Sequence, residues 1–227
     1  MRSKPAPQFA PMLRDMLSRR VDVKVPHVET LDLQLVTLEP KETLITPGQA
    51  HPYLYFVLDG LMRVAVITPD GVERVTNIFE PGQMLGVPML YRSRWLGASG
   101  VRNNYVERVL DHHREGDPPY LVTALSQCTM LRITYAEVEA LATQHQEWAT
   151  VVLHHLAVYA AMGESRVVEF LTLSPEERYV NFLRTRGHLL DVISKRDIAW
   201  LLGITPESLS RIRARHRDRP ISSRQSV

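Results

Sequence analysis

There is one cysteine in the 227 residues, Cys128. No disulfide can form within the chain, and no cysteine-rich zinc or iron–sulfur site can be assembled. A lone thiol fits a reducing compartment, so a cytoplasmic protein is expected. No apolar run reaches the ~20 residues that cross a bilayer, so no membrane association is expected. The opening stretch, MRSKPAPQFAPMLRDMLSRR, has no apolar signal core; it reads as a polar lead followed by a short amphipathic helix. Strong net charge is missing too, since 27 Lys and Arg face 25 Asp and Glu. Nor do a nucleophile, a base and metal ligands converge anywhere in the pattern. No enzyme activity, no metal site and no cofactor is expected.

The charge is unevenly placed. Between Lys195 and Val227 eight basic residues stand against three acids, a local net of +5, leaving −3 on the remaining 194 residues. A basic end on a mildly acidic body points to an anionic partner, and double-stranded DNA is the first candidate. The competing reading is a solvated, disordered tail.

Glycines recur at Gly48, Gly60, Gly71 and Gly82, spaced 12, 11 and 11 residues apart. Before and between them lie TLIT, YLYFVLD, LMRVAVIT and VERVTNIF, short runs rich in β-branched and aromatic residues. Short strands at this spacing suggest an antiparallel β-roll or jelly roll. Tyr53–Asp59 is apolar on both faces and is expected in the middle of a sheet. From Arg92 to Pro119 the pattern fades and reads as a long loop before a strand-like YLVTALSQCTMLRIT.

Helical patterns follow. Thr134 and Glu137 form a capping box, and a longer helix is expected from Gln146 to about Thr172. Along it Ala149, Leu153, Leu156, Ala160, Gly163, Val167 and Phe170 keep a 3.5-residue period, the seam of a coiled coil. Val151, Val152, Val158 and Tyr159 make the same helix apolar on a second side, so it is expected to pack both on its own barrel and on a second copy. Ser174 and Glu177 form a further capping box with Pro175 at the first helical position. Tyr179, Val180, Phe182 and Leu183 are expected to be its buried face, and Gly187 its end. His154-His155 reads as a surface or interface pair, Asp111-His112-His113 as a solvated loop, and Cys128 as a packed thiol.

The stretch ISKRDIAWLLGITPESLSRIRAR carries the sharpest pattern. Counting Lys195 as position 1, a helix-turn-helix wants apolar residues at positions 4, 8, 10, 15 and 18, a small residue at 5 and glycine at 9. Ile198, Leu202, Ile204, Leu209, Ile212, Ala199 and Gly203 fill all seven. The second helix would then turn Glu207, Ser208, Ser210, Arg211, Arg213 and Ala214 outward. Arg211 can donate twice to a guanine and Glu207 can accept from a cytosine. Arg213, Arg215, Arg217 and Arg219 suit phosphates, and Lys195 and Thr205 join the set of expected DNA-contacting residues. An alternative role for Glu207 is that of a first-turn acid complementing the helix dipole.

This order, with LYFVLDGLMRVAVITPDGVERVTNIFEPGQMLG and the helix-turn-helix, resembles the Crp/Fnr family of bacterial transcription regulators. The resemblance implies an α+β chain. Residues 1–29 would be an N-terminal segment with a short helix, 30–145 a β-roll like a cyclic nucleotide-binding domain, 146–172 a dimerisation helix and 173–227 the helix-turn-helix domain. It implies a homodimer on a near-palindrome, with RNA polymerase as a further partner. The family spacing E-x-x-S-R falls on Glu207, Ser210 and Arg211 and suggests TTGA-like half-sites. Three features depart from the family. Val87 follows Gly86 where cyclic nucleotide binders carry glutamate, and Gly97-Ala98 stands in the Arg-Ser place, with Arg92 and Arg94 out of register; a response to cAMP is therefore not expected. The cysteine set of oxygen-sensing relatives is missing. A basic arm, HRDRPISSRQSV, replaces the usual β-wing. The alternative function is a ligand- or haem-binding sensor or interaction module, with the β-roll as the working part and weak or no DNA binding.

Overall fold

The structure, a computed structural model, describes residues 1–49, 51–68, 70–86 and 120–217. Val87, Arg92, Arg94, Gly97-Ala98, the 92–119 loop, Asp111-His113 and the arm from 218 onward, with Arg219, lie outside the described residues. The chain divides into two compact units, Met1–Glu73 with Asn77–Met162, and Arg74–Thr76 with Gly163–Val227.

The first unit is the expected β-roll. Strands β1 (Arg2–Pro5), β2 (Gln34–Leu38), β3 (Thr43–Ile45), β4 (Tyr53–Asp59), β5 (Met62–Ile67), β6 (Glu73–Phe79), β7 (Met84–Leu85), β8 (Tyr120–Ala124) and β9 (Cys128–Thr134) make two sheets. One has the order β1-β2-β9-β4-β7 and the other β3-β8-β5-β6. β4 is an inner strand, paired antiparallel to both β9 and β7, and Leu54, Tyr55, Phe56 and Val57 are all buried. Its two apolar faces feed two cores. Tyr55 and Val57 join Val36, Leu38, Val64, Val122 and Met130 between the sheets. Leu54 and Phe56 join Leu131 and Ile133 beneath helices α1 (Ala10–Val21), α2 (Tyr135–Gln144) and α3 (Gln146–Thr172), which contribute Leu13, Leu17, Val138, Trp148 and Val151.

The Thr134–Glu137 box forms as expected, each side chain bonded to the other's backbone N–H. Two readings need correction. The polar lead is not merely a lead, since Arg2–Pro5 is an edge strand on β2. The run YLVTALSQCTMLRIT is two strands, one in each sheet, with a turn between them. At that turn Gly60 lies so close that a Cβ there would sit 2.2 Å from the Gln127 carbonyl oxygen and 2.7 Å from Cys128 Sγ. Cys128 is buried, its thiol donates to the Leu61 carbonyl at 3.2 Å, and burial raises its pKa.

His155 is also not where the sequence suggested. It is buried at 7% exposure inside its own chain rather than at a surface or an interface. Its Nδ1 lies 2.8 Å from the Val151 carbonyl oxygen, so that nitrogen carries the proton and Nε2 is left as acceptor. Arg20 from α1 donates to that Nε2 at 3.1 Å and to the Gly82 carbonyl with its other nitrogen. One guanidinium thus joins α1, the turn before β7 and α3. Burial, aided by the Arg20 charge, lowers the His155 pKa to about 4. Folding therefore favours neutral His155. Its contribution is complete above the unfolded value near 6.5 and is lost as pH falls from there toward 4, at up to ~1.4 kcal/mol per pH unit. Urea unfolding between pH 7 and 4 is expected to show this decline, with a shallower slope in His155→Asn; equal slopes would remove His155 from the account.

Candidate nucleic-acid interface

The second unit holds the C-terminal part of α3, then α4 (Pro175–Arg186), α5 (Lys195–Leu201) and α6 (Pro206–Arg217). Ser174 caps α4 through the expected box with Glu177. Tyr179 and Phe182 are buried, but Val180 is exposed and does not belong to the inner face. The helix ends at Gly187 as expected; at φ −57° this residue leads into a short 3₁₀ turn, Gly187–Leu189.

Ser194 caps α5, accepting from the Asp197 N–H at 3.0 Å and donating to the Asp197 carboxylate at 2.6 Å. The helix ends in a left-handed glycine, Gly203 at φ +66°. The Ile204 N–H reaches back to the Ala199 carbonyl and the Gly203 N–H to the Trp200 carbonyl, at 2.9 and 3.0 Å. That pair of bonds is a Schellman motif, which only a residue tolerant of positive φ completes without strain. Thr205 then caps α6, accepting from the Ser208 N–H at 3.2 Å. Ile198, Ala199, Leu202, Leu209 and Ile212 are buried and Ile204 is half-buried, so the seven patterned positions do form the turn and the wedge between the helices.

Three residues outside the motif hold it from behind. Arg166 donates to the Leu201 carbonyl at 2.9 Å; Arg178 donates to the Leu202 carbonyl at 2.9 Å and the Leu173 carbonyl at 2.7 Å. Between them lies the Phe170 ring, with guanidinium carbons 4.9 and 5.0 Å from its centroid. Burial lowers the pKa of Arg166. Both cations sit at the C-terminal end of α5, where carbonyls lack helical partners and the dipole is negative. Sequence reasoning placed Phe170 only in the coiled-coil seam and missed both arginines. No local period marks them, because their partners lie 24 and 35 residues away.

The outer face of α6 presents Glu207, Ser210, Arg211, Ala214 and Arg215 to solvent, with Ser208 and Arg213 half-buried beside them. Thr205 is exposed at the start of this helix and Lys195 at the start of α5. Glu207, Ser210, Arg211 and Ala214 follow an i, i+3, i+4, i+7 spacing and share one stripe. Glu207 is held below the usual carboxylate range by its own backbone N–H and the Thr205 hydroxyl, with Arg211 adding a smaller pull. Arg211 is steadied by a 3.2 Å bond to the Ser208 hydroxyl. Arg215 lies 3.3 Å from Glu176 of α4, an exposed pair. Among the described residues no group of three or more metal-ligating side chains exists, and no helix is long and apolar enough to cross a membrane.

Residues 35–101 match the cyclic nucleotide-binding domain family. No curated protein matches the sequence. Solved structures do. FixK2 from Bradyrhizobium japonicum aligns with a TM-score of 0.62 at 18% identity, over 85% of this chain and 88% of its own. The c-di-GMP-responsive global regulator CLP from Xanthomonas campestris aligns at 0.57 and 16%, over 90% and 91%. A CooA variant from Carboxydothermus hydrogenoformans aligns at 0.57 and 13%, over 85% and 81%. The chain has the fold of the Crp/Fnr regulators. In this Crp/Fnr fold the cyclic nucleotide-binding match covers strands β2 to β7, and the helix-turn-helix lies outside it.

Gly203→Ala tests the clamp. The new Cβ would meet the Phe170 ring at 2.3 Å and force alanine to φ +66°. A loss of at least ~1–2 kcal/mol is expected from the backbone alone. Urea denaturation should show it, and Phe170→Leu in the same chain should restore part; full additivity of the two changes would mean that the ring does not press on the turn.

Proposed function

We propose that this protein is a homodimeric, sequence-specific DNA-binding transcription regulator that reads a near-palindrome with TTGA-like half-sites and acts without cAMP. The observation that carries the reading is the α6 stripe: its polar side is exposed while Leu209 and Ile212 anchor the other side against α5. Helices of this kind enter the major groove by their N-terminal half. Arg211 reads a guanine and Glu207 a cytosine, with Ser208 and Ser210 beside them. Arg213, Arg215, Lys195 and Thr205 bind the phosphate backbone, which sets affinity and its salt dependence.

Dimerisation is supported by α3. In the single chain the seam residues Leu153 and Val167 are 68% and 57% exposed. Apolar exposure at a 3.5-residue period is what a second helix covers. Two copies about a two-fold axis would present their α6 helices ~34 Å apart, one turn of DNA. The proposed division keeps 30–145 as the sensor-like β-roll, 146–172 as the dimer helix and 173–227 as the DNA-binding part. A cytoplasmic location and a contact with RNA polymerase go with this function.

Fluorescence anisotropy against a TTGA-centred palindrome and a scrambled duplex, at fixed salt, tests the reading. Tight binding to the palindrome alone is expected. Arg211→Ala should cost ~1–3 kcal/mol on the palindrome and relax choice at one base pair, whereas Arg213→Ala should weaken both duplexes alike. An equal loss on both duplexes for Arg211→Ala would refute base reading. Leu153→Asp should convert the dimer to monomer in sedimentation equilibrium, with loss of palindrome binding.

A further inference from the structure

Between the sheets, the inner face of the roll is apolar along β9 up to Met130. Two residues on, the alternation of the strand brings Arg132 to the same face. Arg132 stands opposite Tyr55 on β4 and Gln34 on β2. Its guanidinium lies 4.3 Å from the Tyr53 ring centroid, on the strand facing Tyr55, a residue 1% exposed. No carboxylate of the described residues pairs with it. His51 completes the group. Its ring stacks on Tyr55 at 5.3 Å and meets Tyr53 edge-on at 5.7 Å. Its Nε2 is buried and has no hydrogen-bond partner among the described residues. Burial first, and then the Arg132 charge, lower the His51 pKa to about 4.

A half-buried guanidinium with no carboxylate partner among the described residues attracts an anion, a buried ring nitrogen without a partner is costly, and one kind of group serves both. An oxygen bearing negative charge can accept from the guanidinium and from an Nε2–H together. A cationic guest would be repelled by Arg132, and a purely apolar one would leave both nitrogens bare. We propose that His51, Tyr53, Tyr55 and Arg132 form a binding site for a small oxyanion, a carboxylate or phosphate group, inside the β-roll. Arg132 supplies the charge and a fork of donors, His51 a further donor, and the two tyrosine rings exclude water around the bound group. This site uses none of the residues of the DNA face, and its test does not depend on DNA binding.

The test follows the Cε1–H signal of His51 in the full-length protein labelled with ¹³C-histidine, assigned by loss of that signal in His51→Phe. Potassium phosphate and potassium acetate are titrated separately against potassium chloride at matched ionic strength. A saturable shift with one or both oxyanions and not with chloride is expected, and the arm that saturates names the chemistry. The titration midpoint of His51 should rise with the bound anion. Arg132→Gln should weaken binding at least about tenfold. His51→Phe, which keeps the stacked ring, should reduce the oxyanion-induced rise in melting temperature. Identical responses to all three salts would overturn the proposal. So would an unchanged affinity in Arg132→Gln, and if that variant does not fold, an unchanged thermal response in His51→Phe decides the matter.

Discussion

The carbonyls of Leu201 and Leu202 end a short helix in a tight turn, and their oxygens lack helical donors. Arg166 and Arg178 supply them, one from α3 and one from α4. The charges then need a neighbour that tolerates two cations, and the face of Phe170 provides it. Gly203 closes the arrangement, because its missing side chain is the space the ring occupies. The orientation of α6, and with it the direction of Arg211 and Glu207, follows from this one junction. A helix-turn-helix is small and has little core of its own, so its geometry is set by the elements packed behind it.

Local features were legible in the sequence. Two capping boxes, the turn glycines, the extent of α3 and all seven helix-turn-helix positions depend on residues within one or two turns of each other, and all appear in the structure. What escaped were pairings made across the fold. RSKP has no strand propensity and becomes one only because β2 offers it a ladder. His155 reads as a surface or interface residue because nothing near it in sequence announces Arg20, 135 residues earlier. Val180 was placed inside by its apolar character, yet it faces out, which single apolar residues often do. For the DNA face, the sequence supplied the stripe, whereas the Ser208–Arg211 bond and the ion pair of Arg215 with Glu176 required coordinates.

Two surfaces among the described residues remain without a covering, and they differ in kind. The stripe on α3 is apolar and periodic, so burial against a like surface satisfies it. The stripe on α6 is charged and forked, so it gains little from burial and much from ordered acceptors. The roll interior poses a third case, in which a half-buried guanidinium lies over an aromatic ring. Each asks for a different chemistry, and the three lie on separate sets of residues.

The position of Cys128 has a practical side. Its sulfur is sealed beneath Gly60, bonded to a backbone oxygen and held as a neutral thiol. Maleimides and similar reagents attack exposed thiolates and would leave it alone. A single cysteine introduced on the surface of this chain would therefore accept a fluorophore or spin label selectively, with the native residue left in place.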